Sequence, residues 1–270
     1  MPTEPEAAEM ARSYQEVIVG GIKIACLSRR DLTELMVEEC LAARQAPEAA
    51  PRLVDAANGN AIARAAVDAE FRAHFAAADI IHADGQPVVL ASRLLTKAPI
   101  PERSATTDYF LDAAAAAEAS GLSFFLLGGT ESVNARCAEI LKVRYPGLRL
   151  VGRRNGYFAR EDEAAVCAEI SAAGADVVWV GLGVPLEQSF CARNKHRLKA
   201  GWLVTCGGCF NYVTGDYPRA PLWMQQAGLE WLFRLLREPR RLFRRYAVTN
   251  PQAIFLMLTR TVSQPVVTAV

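Results

Sequence analysis

Apolar positions in this chain fall into two kinds of run. Short stretches rich in β-branched and aromatic residues predict strands at 17–25, 52–56, 79–82, 123–127, 149–151, 176–180 and 202–205. Ala-rich segments between them predict helices near 31–44, 61–77, 86–95, 107–120, 131–144, 161–173 and 186–199. Strand and helix alternating in this way predict an α/β fold, a Rossmann-like and mostly parallel sheet with helices on both faces.

The pattern changes near Leu222, where strands stop. Two helical segments follow, separated at Glu238-Pro239, because proline suits a first helical turn and breaks an interior. This second part carries six arginines between 234 and 245: Arg234, Arg237, Arg240, Arg241, Arg244 and Arg245. At helical spacing, Arg234, Arg237, Arg241 and Arg244 share one side, roughly opposite Leu232, Leu235, Leu236, Leu242, Phe243 and Tyr246. The expected organisation is a flexible tail over 1–13, an α/β core over 14–221 and a helical, membrane-associating appendage over 222–270.

Composition narrows what the arginines face. The formal net charge is only +1, so the basic cluster is local, which argues against a nucleic-acid partner and for an anionic lipid or phosphate. No window reaches the ~20 apolar residues of a spanning helix, and the acidic, Ala/Pro-rich start lacks a signal-peptide pattern. The expectation is a cytoplasmic protein, peripheral on the inner face of the cytoplasmic membrane. Exposed apolar surface on the appendage would also suit a second copy of the chain. The cysteines are scattered and odd in number, which reads as reduced thiols; Cys206 and Cys209 are the one close pair.

Ligands of open α/β sheets bind beyond the carboxyl ends of strands. Three such ends carry chemistry. Asp84-Gly85 places a carboxylate there, suited to accept a proton as a general base. Asp-Gly equally suits an Asx turn. Gly128-Gly129 precedes a predicted helix, where backbone N–H groups can meet a phosphate, and equally suits a tight turn. Gly181-Leu182-Gly183 is the third. Position 186 is Leu, so the dinucleotide fingerprint is absent, as is the P-loop. The histidines at 74, 82 and 196 lie far apart, no D-x-D occurs, and no spacing suits a metal. His82, Trp179, Trp202 and Phe124-Phe125 read as core.

Taken in order, these strand ends resemble the WecG/TagA/CpsF family of bacterial glycosyltransferases over about residues 17–246. The likeness rests on Asn58, Asp84-Gly85, Pro101-Glu102-Arg103 with Asp108, Leu126-Leu127-Gly128-Gly129, Tyr145-Pro146-Gly147-Leu148 and Gly181-Leu182-Gly183 with Pro185. Arg219-Ala220-Pro221, Gly228-Leu229-Glu230-Trp231, Arg234, Glu238-Pro239 and Arg241 complete it. The resemblance implies inverting, metal- and cofactor-independent transfer of a sugar from a UDP-sugar donor to a polyprenyl-diphosphate-linked sugar, in cell-surface polysaccharide or exopolysaccharide synthesis.

It further implies that Asp84 is the base and Asn58 its catalytic neighbour. Gly128, Gly129, Gly181, Gly183, Glu187, Gln188 and Arg103 fall at the donor site, and Arg234, Arg241 and Arg244 meet diphosphate or membrane. At three places the chain departs from the family pattern: Ala56, Ala105-Thr106, and Leu186-Glu187-Gln188 after Pro185. These point away from N-acetylmannosamine-type donors and leave glucosyl or uronosyl donors open. A catalytically altered scaffold of the same assembly pathway is the alternative.

Overall fold

The computed structural model describes residues 14–46, 48–263 and 266–267, with the side chains of Arg241, Val266 and Val267 outside that set. The predicted tail over 1–13 therefore lies outside the described residues.

A hairpin opens the fold: β1 (Gln15–Val19) and β2 (Ile22–Ala25) pair antiparallel. The sequence pattern predicts one strand over 17–25. Gly20 and Gly21 take φ of 62° and 84°, a left-handed pair that glycine adopts without strain and that turns the chain back on itself.

Next come α1 (Arg29–Ala43), β3 (Arg52–Ala57), α2 (Gly59–Val67), α3 (Ala69–Ala76), β4 (Ile80–Ala83), α4 (Gln86–Leu95), α5 (Thr106–Ser120) and β5 (Ser123–Gly128). The single helix expected over 61–77 is two. Asp68 ends the first in an extended conformation, and its side chain caps the second by accepting from Phe71 N. Then follow α6 (Glu131–Arg144), β6 (Arg149–Arg154), α7 (Glu163–Ala173), β7 (Val177–Gly181), α8 (Leu186–Asn194), β8 (Trp202–Thr205) and α9 (Cys209–Val213). The chain closes with α10 (Leu222–Gln226), α11 (Glu230–Arg237), α12 (Pro239–Thr259) and β9 (Val266–Val267).

The predicted fold class holds. Six strands in the order β4-β3-β8-β7-β5-β6 form an all-parallel sheet. Residues along β4, β5, β7 and β8 are buried on both sides, which is why those strands read as mainly apolar runs without polar alternation. One face packs Tyr109, Phe110, Phe124, Trp179, Trp202 and Phe210. Phe110 meets Trp179 edge-on at 4.7 Å between centroids. The other face packs Phe125, Val166, Ile170, Val178, Phe190 and Leu203.

Beyond Leu222 the chain differs from expectation in two ways. Three helices form, because Gly228, at φ 71°, ends a short α10 before α11 begins. Strands do not stop, since β9 pairs with β1. Pro239 sits in the first turn of α12, as its missing N–H permits. The second half of α12 buries Ala253, Leu256 and Met257 against the hairpin and α2. Among the described residues, no helix is long and apolar enough to cross a membrane.

Candidate active site

Strand register brings the first two candidate residues together. β3 and β4 are parallel neighbours with Ala57 opposite Ala83. The next residue on each strand, Asn58 and Asp84, therefore emerges side by side at the carboxyl edge. Asn58 caps α2, its Oδ1 accepting from Ala61 N at 3.1 Å. That leaves its amide free to donate to Asp84 Oδ2 at 3.2 Å. The other carboxylate oxygen accepts from Thr106 N at 3.0 Å. Gly85 makes this approach possible, because a Cβ there would lie 3.1 Å from Asn58 Cα.

The backbone of Asp84 is also pinned. Its N–H donates to Ala57 O, and its carbonyl accepts from Arg103 Nε at 2.7 Å. Arg103 continues through Nη2 to Glu230 Oε2 at 2.7 Å, so a core arginine links Asp84 to the first residue of α11. Thus Arg103, expected at the donor, is engaged with the Asp84 peptide and with α11.

Below Asp84, His82 is buried, and its Nδ1 lies 3.0 Å from Ser104 Oγ. Burial pulls its pKa down to about 4 against the opposing pull of Asp84, so the ring is neutral near pH 7. His82 is the packed residue the sequence suggested.

The glycine loops meet internal partners. Gly128, at φ 133°, lies so close to β7 that a Cβ would fall 2.2 Å from Gly181 O. Gly129 N donates to that same carbonyl at 3.1 Å. Gly183 N and Gly207 N both donate to Glu187 Oε2, at 2.9 and 3.0 Å. These N–H groups hold the loops to one another. Glu187 and Gln188 are buried, so any contact with a donor falls to the loops they hold rather than to their own side chains. Gln188 Nε2 donates to Asp55 Oδ1 at 3.1 Å, and Thr205 Oγ1 donates to the same oxygen at 2.6 Å. Burial raises the Glu187 carboxyl to about 8, with Asp55 adding to the rise. Burial likewise raises Asp55 to about 6. Cys206 and Cys209 are buried thiols pushed well above their ordinary pKa, which leaves them inert.

Above the β4 end, α11 forms a roof. Arg234 is half-buried over the Tyr212 ring, 5.9 Å from its centroid. Burial acts to lower its pKa. Tyr212, Tyr246, Asp84 and Glu230 outweigh that, so the guanidinium stays charged beside the site. Arg244 is exposed on α12. Arg241 lies on α12 as well, with its side chain outside the described set. Of the two whose side chains are described, Arg234 is placed toward Asp84 and Arg244 is exposed.

Sequence reasoning did not assign Tyr212, Asp55 or Arg219 to the site. Arg219 donates to Asp108 Oδ1 and Thr107 Oγ1, both at 2.8 Å, and its guanidinium also faces the Tyr212 ring. The ordered pairing of Pro-Glu-Arg with Asp108 and of Arg-Ala-Pro with Gly-Leu-Glu-Trp was the available signal.

A parallel α/β sheet whose strand-end carboxylate lies under an arginine-bearing helix suits group transfer on an anionic substrate. Residues 17–266 match the family described as "Glycosyl transferase WecG/TagA/CpsF family". The chain belongs to that family and is a glycosyltransferase. It is 31% identical over 195 residues to the N-acetylglucosaminyldiphosphoundecaprenol N-acetyl-beta-D-mannosaminyltransferase of Bacillus spizizenii, covering 72% of this chain and 75% of the relative.

Proposed function

We propose that this glycosyltransferase moves a sugar from a UDP-sugar to a polyprenyl-diphosphate-linked sugar, inverting the anomeric centre without a metal. The activity in the name of the Bacillus relative supports the acceptor class. The observation that carries the mechanism is the Asp84 carboxylate, half-buried and oriented on one oxygen by Asn58 and on the other by Thr106 N.

In the transfer, the acceptor hydroxyl oxygen bonds to the anomeric carbon as the bond to UDP breaks. The hydroxyl proton goes to Asp84, and the electron pair leaves with the diphosphate. Arg234, which stays charged beside Asp84, would stabilise that leaving charge, and at a half-buried site each such contact is stronger than in water.

The roof also accounts for a membrane-bound acceptor. Leu236, Phe243, Val248, Phe255 and Leu258 are exposed on α11 and α12, and Trp223 is exposed on α10. Leu90 and Leu94 of α4, which contacts α12, extend the apolar surface. Exposed Arg237, Arg240, Arg244 and Arg245 lie among these residues. An apolar face with basic residues suits peripheral binding to an anionic inner-membrane surface.

The test is transfer from a panel of UDP-sugars to a polyprenyl-diphosphate-sugar. Product is expected with the native chain, with a loss of at least about 100-fold in Asp84→Asn at unchanged fold. Near-native turnover in Asp84→Asn removes Asp84 from the mechanism. No product with any donor leaves the scaffold reading standing.

A further inference from the structure

Glu230 is the first residue of α11, yet its carboxylate faces the core. One oxygen takes Arg103 Nη2 at 2.7 Å. The other lies 3.3 Å from Arg219 Nε, an ion pair outside hydrogen-bond geometry. The three side chains are only 14% to 25% exposed, so the cluster is screened less than a surface ion pair. Both arginines lead onward into the core. Arg103 Nε holds the Asp84 carbonyl at 2.7 Å. Arg219 binds Asp108 and Thr107, in the first turn of the helix whose Thr106 N holds the Asp84 carboxylate.

The Asp84 peptide is thus held by an arginine that ends on Glu230, and its carboxylate by Thr106 N, in the helix turn that the second arginine of Glu230 binds. Gly228 reinforces the docking, because a Cβ there would fall 3.0 Å from Gln86 Cγ, two residues beyond Asp84. Trp231, next to Glu230, packs edge-on against Tyr246 at 6.1 Å, which ties α11 to α12.

We propose that Glu230 is a positioning residue for the transfer: through Arg103 and Arg219 it couples docking of α11 to the placement of Asp84. The proposal rests on the reading of Asp84 as the base. It assigns Glu230 no contact with substrate. Its chemistry is that of a half-buried carboxylate between two guanidiniums, where removal of the carboxylate leaves two partly desolvated cations without it. Arg103 then loses the anchor that fixes its fork, and the bond to the Asp84 carbonyl loosens.

The experiment uses the full chain with Glu230→Ala and Glu230→Gln, the second preserving shape if the first fails to fold. Glu230→Ala is expected to lower kcat at least about tenfold with donor KM changed less than about threefold, as for an interaction realised in the transition state. Glu230→Gln, which can still accept from Arg103, recovers part of that loss. Arg103→Ala combined with Glu230→Ala is expected to lose clearly less than the product of the two single losses, because Arg103 and Glu230 share one arm of the chain while Arg219 carries the other.

Independently of turnover, hydrogen exchange of backbone amides over 103–107 should quicken in Glu230→Ala without substrate. If Asp84→Asn retains turnover, the base reading fails, while the exchange measurement still reports whether Glu230 orders that loop. Additive rate losses, a change in KM alone, or unchanged exchange over 103–107 would overturn the proposal.

Discussion

Asn58 donates to Asp84 across 3.2 Å while the same side chain caps α2 through Ala61 N. One residue thus serves a helix end with its oxygen and the candidate base with its nitrogen. The two roles separate by substitution. Asn58→Ser keeps an N-cap oxygen and loses the amide, so thermal stability should stay within a few tenths of a kcal/mol while transfer falls about tenfold or more. Asn58→Ala should lose activity and also about 1 kcal/mol of stability. Equal stability in all three proteins, read by chemical denaturation, would deny the cap.

Gly128 gives a sharper contrast. Its φ of 133°, and the 2.2 Å that would separate a Cβ from Gly181 O, leave no room for a side chain. Backbone must shift at the β5–β7 junction, so Gly128→Ala should cost at least about 2 kcal/mol. Gly183 has φ 80° but nothing within 4 Å of a Cβ. Gly183→Ala should therefore cost only about 1 kcal/mol, from backbone conformation alone. Matching melting curves for the two variants would show that the close approach is not what selects glycine at 128.

The alternation of strands and helices was legible because both faces of the sheet are covered, so strands such as β5 and β7 are continuous apolar runs. The hairpin was not, although Gly20-Gly21 is visible, because apolar residues continue on both sides of it. In the site, Asp84 and Asn58 could be picked out, but their adjacency comes from the Ala57–Ala83 register, which no local pattern encodes. The departure at Ala105-Thr106 illustrates a further limit. What position 106 supplies to Asp84 is a backbone N–H, so the altered side chains there leave that bond intact. The arginine stripe was legible only within each segment. Helical spacing groups residues on a face, yet α11 and α12 break at Glu238, and Arg234 turns to Tyr212 while Arg244 stays exposed.

The Glu187 carboxyl predicts a pH dependence of stability. Its folded pKa of about 8 lies above the ordinary value of 4.5, mainly through burial, so the folded protein binds the extra proton. The stabilising contribution is therefore complete below about pH 4.5 and is lost as pH rises through about 8. Asp55 acts in the same direction at lower pH, up to about 6. Glu187→Gln keeps an acceptor for Gly183 N and Gly207 N without titrating. Its melting temperature should fall less between pH 6 and pH 9 than that of the native chain. Parallel pH profiles for the two proteins would mean that Glu187 does not titrate across this range.

Membrane contact makes the last prediction. Removal of everything beyond Leu222 is a poor test, because Ala253, Leu256 and Met257 of α12 are core residues and β9 completes a sheet with β1. Point changes on the exposed face avoid that. Phe243→Ser removes an apolar side chain that is 66% exposed, and Arg244→Gln with Arg245→Gln removes two exposed charges. Each headgroup contact is worth about 1 kcal/mol, so the double arginine variant should bind anionic vesicles at least about tenfold more weakly. That loss should shrink as salt is raised, since exposed charges are screened. Phe243→Ser should weaken binding at every salt concentration, because apolar insertion is not screened. Turnover of a short-chain, water-soluble acceptor should be unchanged in both. Native-like vesicle binding by both variants would make this face an ordinary solvated surface or a contact between copies of the chain.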